Sequence, residues 1–172
     1  MKAMKKPTIY LDTNIVSVLL YDGVDINALS RRMTTRDWWE SERRYFEVFA
    51  SAVTEKELTK GLFAGQDDCL RFVRRLKYVP VVAVARRLAA ALVDANVIPA
   101  NKPGDAIQLA LAAAHQFDYL LTWNYAHLAN PATQLRGAGV VGKFSLRMPW
   151  LVSPDSIPRV NHGQPVRRPT HE

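Results

Sequence analysis

The sequence has little cysteine and no long apolar run. Its one cysteine, Cys69, cannot form an internal disulfide and has no neighbouring Cys and His residues to complete a zinc site, so we expect an ordinary, partly buried thiol. No apolar run approaches the ~18 residues needed to span a bilayer. The basic opening MKAMKKPTIY is not followed by the apolar core of a signal peptide. These absences predict a cytoplasmic protein with no membrane segment.

Acidic residues are also scarce, with 16 Asp and Glu against 23 Lys and Arg and a net charge of +7. Such an excess favours an anionic partner, and nucleic acid is the obvious candidate because clustered Lys and Arg attract phosphate backbones. The 172 residues, 48% of them apolar, suffice for one domain with a real core. We predict a domain over residues 1–153 and an extended tail over 154–172, which is rich in Pro and charge.

Strand and helix patterns alternate along the chain. TIYLD, YFEVFAS and DYLLTWN have the apolar character of buried strands, whereas VAVARRLAAALVDANVI and DAIQLALAAAHQF have the apolar spacing of helices. Strands separated by helices indicate a mostly parallel sheet covered on both faces, with the active site beyond the carboxyl ends of the strands. Asp12 and Asn124 each follow such a strand, so we expect both at that edge.

Capping residues predict where the other helices begin and end. Thr13 is a candidate cap for TNIVSVLL, and Ser51 is a candidate cap for SAVTEKELTKGLFAG. INALSRRM and TTRDWWESERR are predicted as two helices, with Thr34 or Thr35 starting the second. DDCLRFVRRLKYV is predicted as one helix, because its order of acids first and bases last suits the helix dipole. PATQLRGAGVVGKFSLRMPWLV has room for one more helix and strand.

Four polar residues have ordinary structural explanations when each is taken alone. Asp12 and Asp105 suit helix starts, Glu57 could be a solvated residue, and Asn124 is a turn former. Together, their order and context resemble the PIN-domain nuclease family, in particular the VapC-like toxins of type II toxin–antitoxin systems. The matching segments, between about residue 8 and about residue 128, are IYLDTNIVSVLL, FASAVTEKELTKG and GDAIQLALAAAHQFDYLLTWN.

The resemblance implies a PIN-like three-layer α/β fold and an endoribonuclease that depends on Mg²⁺, with Mn²⁺ as a substitute. It places the family's acids on Asp12, Glu57 and Asp105 and its fourth polar position on Asn124, which would together form the catalytic site. Asp12 and Asp105 are the expected metal ligands, since hard cations prefer oxygen donors. Glu57 would hold metal-bound waters or act as a base, and Asn124 would orient water or the scissile phosphate.

Two positions leave this assignment open. Glu55 competes with Glu57, and the resemblance favours Glu57, because the family's Glu precedes a Leu and follows a Ser by six residues, as Glu57 follows Ser51. Many relatives have Asp where this chain has Asn124, so an amide there makes a second metal site harder to fill. A catalytically weak RNA-binding or RNA-processing protein with the same fold is therefore the alternative. The resemblance also implies a homodimer, a cognate antitoxin as partner, and an RNA substrate such as transfer or ribosomal RNA.

Several neighbours of the four positions carry weaker expectations. Thr13, Asn14 and Thr122 are expected to hydrogen-bond the acids. His127, three residues after Asn124, is expected in an ordinary core or surface position, because no second His or Cys completes a transition-metal set.

Overall fold

The computed structural model describes residues 5–159, in which helices and strands alternate as predicted. The strands are β1 (Thr8–Leu11), β2 (Glu47–Ser51), β3 (Lys77–Val79), β4 (Tyr119–Leu121) and β5 (Trp150–Val152). The helices are α1 (Thr13–Leu19), α2 (Ile26–Ser41), α3 (Ala52–Leu58), α4 (Gln66–Val73), α5 (Ala83–Asp94), α6 (Pro103–Ala114) and α7 (Pro131–Gly142).

The five strands form one sheet in the order β3-β2-β1-β4-β5, and every neighbouring pair is parallel. The central strand is β1, in which Ile9 lies opposite Val48 on one side and Tyr119 on the other. The carboxyl ends of all five strands therefore lie along one edge, where parallel sheets carry their sites. The predicted α/β fold with a parallel sheet flanked by helices is confirmed.

Alternation along β1 divides the core between the two faces of the sheet. Tyr10 packs into a cluster with α5 and α6, where Leu109 and Leu120 are also fully buried. Ile9 and Trp38 belong to a second cluster on the opposite face. Successive strand residues point to opposite faces, so an apolar strand such as TIYL serves both clusters. Each buried large side chain contributes about 1.5–3 kcal/mol of burial free energy.

The prediction of two helices before β2 is wrong, because α2 runs unbroken from residue 26 to residue 41. Its cap is Asp25, whose side chain accepts a hydrogen bond from Ala28 N. Thr34 and Thr35 lie inside the helix and donate their hydroxyl hydrogens to the carbonyl oxygens four residues earlier. A threonine hydroxyl satisfied in this way does not need to start a new helix.

The prediction of one helix over DDCLRFVRRLKYV is also wrong. The helix α4 ends at Val73, and the chain then enters β3, in which Lys77 pairs with Phe49 of β2. Local charge order favours a helix here, but the exposed edge of β2 provides backbone hydrogen bonds that only the folded sheet offers.

The end of the described chain packs against the domain. Ile157 is 3% exposed and joins the cluster around Trp38, while Arg159 Nη1 lies 2.8 Å from Asp37 Oδ2. The boundary between residues 153 and 154 stays a prediction, and the rest of the predicted tail, 160–172, lies outside the described residues. No helix within residues 5–159 is both long enough and apolar enough to cross a membrane.

Asp118 ties the amino ends of β1 and β4 together, at the edge of the sheet opposite Asp12. Its side chain is fully buried, and Oδ2 accepts hydrogen bonds from Thr8 N at 2.9 Å and Thr8 Oγ1 at 3.0 Å. Its other oxygen, Oδ1, accepts one from Arg147 Nη2 at 3.2 Å.

We predict that Asp118→Ala lowers the free energy of unfolding by about 3 kcal/mol, because it removes a buried acceptor and leaves the partly buried donors of Thr8 and Arg147 without a partner. Urea denaturation of the purified variant measures this loss. The matched control is Asp94→Ala, which removes an exposed carboxylate at the end of α5 and should change stability by less than about 0.5 kcal/mol. Equal losses in the two variants would contradict the structural role of Asp118.

Candidate active site at the carboxyl edge of the sheet

Asp12 follows the last residue of the central strand and is only 5% exposed. Its backbone N–H donates to Leu121 O, which fixes the residue at the end of β1 beside the end of β4. Two side chains donate hydrogen bonds to its Oδ2, Asn14 Nδ2 at 2.6 Å and Thr122 Oγ1 at 2.5 Å. The expected contacts of Asn14 and Thr122 with this acid are therefore present, and they hold the carboxylate in one orientation.

The environment of Asp12 disfavours its charged form. Burial, together with the nearby carboxylates of Glu57 and Asp105, raises the pKa of Asp12 to about 7, although the Thr122 hydrogen bond lowers it. A divalent cation would reverse this balance, because a positive charge beside the carboxylates favours their ionised forms. The three predicted acids are thus close enough to interact electrostatically.

Glu57, and not Glu55, faces this cluster from α3. Thr13 Oγ1 donates a 2.5 Å hydrogen bond to Glu57 Oε2. Glu55 instead accepts hydrogen bonds from Arg74 Nε at 2.6 Å and Tyr78 OH at 3.0 Å, and these partners lower its pKa. Side chains two residues apart on an α-helix point in directions about 200° apart, so Glu55 and Glu57 cannot lie on the same face of α3.

Thr13 does not cap α1 as predicted. The N-cap position belongs to Asp12, and the Thr13 hydroxyl is directed across to Glu57 on α3. The second donor to Glu57 Oε2 is Gln108 Nε2, at 3.0 Å. The sequence reasoning missed Gln108, although a polar residue within the apolar run AIQLALAAA, three positions after Asp105, was a usable signal.

Asp105 lies in the first turn of α6 and is held by the segment after β4. Its Oδ2 accepts a 2.9 Å hydrogen bond from Asn124 Nδ2 and lies 3.0 Å from His127 Nδ1. Asn124 Oδ1 in turn accepts a hydrogen bond from the backbone N–H of His127 at 3.0 Å. The amide of Asn124 is therefore turned towards Asp105 and His127.

His127 belongs to this group, contrary to the expectation of an ordinary core or surface position. Its side chain is 26% exposed and reaches Asp105 from outside the sheet. The available signal was the spacing of three residues between Asn124 and His127, because in a turn this spacing brings both side chains to the same side.

A basic side chain lies beside the same segment. The guanidinium carbon of Arg31, on α2, lies 5.5 Å from the ring centroid of Trp123, the residue before Asn124. Trp123 is itself 7% exposed and donates its indole N–H to Thr35 Oγ1 at 2.9 Å. A cation over a fixed aromatic ring is held in place, so Arg31 provides positive charge beside Trp123.

The residues suit a hydrated hard cation. In the part of the chain from residue 5 to residue 159, no three His, Cys, Asp or Glu side chains stand ready as a metal cage. Mg²⁺ needs no such cage, because it keeps several waters and uses one or two protein carboxylates. Asp12 and Asp105 can supply that pair. Among the described residues, the groups around them are hydroxyl, amide and carboxylate oxygens and one imidazole nitrogen, that of His127, and this set rich in oxygen fits Mg²⁺ or Mn²⁺ better than zinc.

Comparison with solved structures shows the same fold in three complexes. A complex from Klebsiella pneumoniae, described as a toxin–antitoxin complex, aligns at a TM-score of 0.51 and 20% identity over 85% of this chain and 97% of the other. VapBC2 from Rickettsia felis, bound to a promoter DNA fragment, aligns at 0.50 and 15% identity over 85% and 98%. FitAcB from Neisseria gonorrhoeae aligns at 0.50 and 16% identity over 87% and 99%.

Sequence comparison agrees with the structural one. No curated protein has significant similarity to the chain. The family model described as the PIN domain matches residues 9–128, a stretch that begins in β1 and ends just after His127. This match includes all four predicted positions and spans more than half of the sequence, so the chain belongs to the PIN-domain family.

Proposed function

We propose that this protein is a Mg²⁺-dependent endoribonuclease that hydrolyses RNA phosphodiester bonds in the cytoplasm. The observation that carries the proposal is the convergence of Asp12, Glu57 and Asp105 at one edge of the sheet, where the last two raise the pKa of the first. Such a group of acids is unfavourable alone and becomes favourable around a divalent cation.

Each side chain has a distinct part in the proposed reaction. Asp12 and Asp105 would hold the cation, with Mn²⁺ as a substitute for Mg²⁺. A bound cation would lower the pKa of a water that it coordinates and would neutralise negative charge on the phosphate. Glu57 accepts a proton from the attacking water, and Asn124 holds Asp105 in position through the 2.9 Å hydrogen bond.

The choice of RNA as substrate rests on charge. The chain has a net charge of +7 although its candidate site is acidic, so the basic residues lie outside the site and can contact a phosphate backbone. One such residue is Arg31, whose guanidinium lies over the ring of Trp123, the residue before Asn124. Transfer or ribosomal RNA offers structured substrates of this class.

A binding-only role is the alternative, and one observation favours it. Asn124 stands where a carboxylate would add charge to the site, and its amide is already engaged by Asp105 and His127. A protein with this fold but weak metal affinity would bind RNA without cutting it.

A toxin role is the finer part of the proposal. The Klebsiella structure is described as a toxin–antitoxin complex, and its fold is shared by this chain. We propose a cognate antitoxin that blocks the acidic edge of the sheet, and a homodimer as the nuclease assembly.

We predict that the pure protein cuts structured RNA in the presence of Mg²⁺ or Mn²⁺ and that EDTA abolishes the cutting. Asp12→Asn and Asp105→Asn remove a metal ligand and should lower the rate by at least about 100-fold, and Glu57→Gln removes the base and should lower it by about 100-fold. Gel analysis of end-labelled RNA measures the rates.

The matched control for Glu57→Gln is Glu55→Gln, which changes a glutamate on the same helix that faces Arg74. This variant should keep the wild-type rate. Bound but uncut RNA in the wild type would favour the binding-only alternative, and equal losses in the two glutamate variants would contradict the assignment of Glu57.

We predict that the stability of the metal-free protein falls as pH rises from about 4 to about 7. The folded protein keeps a proton on Asp12, whose pKa is about 7, whereas the unfolded chain releases it near its ordinary value of about 4. Stability is therefore lost through this window by at most about 1.4 kcal/mol per pH unit. Urea denaturation of wild type and Asp12→Asn over this range isolates the contribution, because the variant lacks it.

The same pair of proteins reports on the metal. Above pH 7, Mn²⁺ should raise the melting temperature of the wild type and leave that of Asp12→Asn unchanged. Parallel pH profiles for the two proteins, or an equal effect of Mn²⁺ on both, would contradict a cation site at Asp12.

We predict a toxin that is inhibited by the product of a neighbouring gene. Expression of the chain alone should slow growth, and co-expression of the small protein encoded beside it should restore growth, with Asp105→Asn as the harmless control.

Size-exclusion chromatography with light scattering should give a dimer for the purified chain at micromolar concentration. A monomer in this measurement would contradict the proposed homodimer. Normal growth of cells that express the active enzyme would contradict the toxin role.

A further inference from the structure

Gln108 is an unusual residue for the middle of a buried helix. It lies in α6 among Ala and Leu residues and is 1% exposed. Its Nε2 donates to both Glu57 Oε2 and Thr13 Oγ1, each at 3.0 Å. We propose that Gln108 is a positioning residue that holds the Glu57 carboxylate towards the metal and water. This inference rests on the proposed nuclease function and deepens it.

The orientation of the Gln108 amide follows from its neighbours. Glu57 Oε2 accepts and cannot donate, so the NH₂ group must face it, because the flipped amide would place two acceptors together. In this orientation Oε1 is buried and has no hydrogen-bond partner within residues 5–159. A buried acceptor without a partner costs free energy, and a Leu of similar size would avoid the cost. The amide is thus better explained by its contact with Glu57 than by packing.

Residues of two helices, α1 and α6, enclose the Glu57 carboxylate. Thr13, at the start of α1, and Gln108, on α6, both donate to Oε2. On the Oε1 side lies Gly104, where an added Cβ would collide with that oxygen. The backbone of α6 therefore approaches Glu57 closely, and a residue larger than glycine at position 104 would push the carboxylate away.

The position of Gln108 on α6 links two parts of the proposed site. Gln108 follows Asp105 by three residues, which places both side chains on one face of the helix. One rigid helix thus carries a metal ligand and the donor that fixes the base. A general base must lie within hydrogen-bond reach of its water, and a displacement of about 1 Å costs on the order of 100-fold in rate.

The experiment replaces the amide by an apolar side chain of similar size. Gln108→Leu should lower kcat by about 10- to 100-fold with KM changed by less than about twofold, because substrate contacts remain and the position of the base is lost. Its melting temperature should equal or exceed that of the wild type, since an unpaired buried acceptor is removed. Gln108→Met serves the same purpose if the Leu variant folds poorly. The control is Gln116→Leu, an exposed glutamine just after α6.

A second measurement does not depend on cleavage. Calorimetric titration of the intact protein with Mn²⁺ should show several-fold weaker binding for Gln108→Leu than for wild type and Gln116→Leu. In the Glu57→Ala background, Gln108→Leu should change neither the Mn²⁺ affinity nor the residual kcat, because the residue through which it acts is gone.

The outcomes separate this inference from the proposed function. Wild-type cleavage with an unchanged kcat and Mn²⁺ affinity in Gln108→Leu overturns the positioning role and leaves the nuclease proposal standing. If Gln108→Leu lowers kcat equally in the wild-type and Glu57→Ala backgrounds, the positioning role is also overturned, since Gln108 would then act through another residue. A wild-type protein that does not cut RNA refutes the nuclease proposal, and the Mn²⁺ titrations then decide the coupling of Gln108 to Glu57 by themselves.

Discussion

The burial of the Asp12 carboxylate at the end of the central strand is the constraint on which the rest of the site depends. A carboxylate that is 5% exposed loses most of its hydration, and the loss must be offset by donors or by a cation. Asn14 and Thr122 supply two hydrogen bonds, yet the pKa of Asp12 is still raised to about 7. The protein backbone and side chains therefore leave part of this charge uncompensated.

Asp12, Glu57 and Asp105, the three acids of the site, have different hydrogen-bond partners from the acids that form ion pairs elsewhere in the protein. Elsewhere in the described residues, Glu55 and Glu47 each pair with a basic side chain, Arg74 and Lys77. The site acids are instead held by hydroxyl and amide donors, with His127 beside Asp105 as the one group able to carry positive charge. Neutral donors fix a carboxylate without cancelling its charge. The arrangement therefore keeps negative potential at the edge of the sheet, where a cation would be attracted.

Sequence reasoning predicted the features that depend on local pattern. An apolar strand before a helical segment predicts the end of β1 at Asp12, and the resemblance to the family's motif favours Glu57 over Glu55. The failures came from tertiary structure. The strand β3 forms because β2 offers an edge, and Thr35 fits inside α2 because its hydroxyl bonds the backbone of the same helix. The position of Gln108 in an apolar run was a usable signal of burial, but its contact with Glu57 depends on how α3 and α6 come together in the fold.

The amide at position 124 has a physical consequence beyond the loss of one charge. A carboxylate there could accept the hydrogen bond from His127 N but could not donate one to Asp105, and the two acids would repel each other. The amide does both, since it has an acceptor and a donor on one planar group. Its oxygen already accepts one hydrogen bond from the backbone, which leaves one lone pair and no negative charge for a second cation. We infer that Asn124 changes the fourth position from a ligand into a support for Asp105, so this sequence favours a site built around one cation.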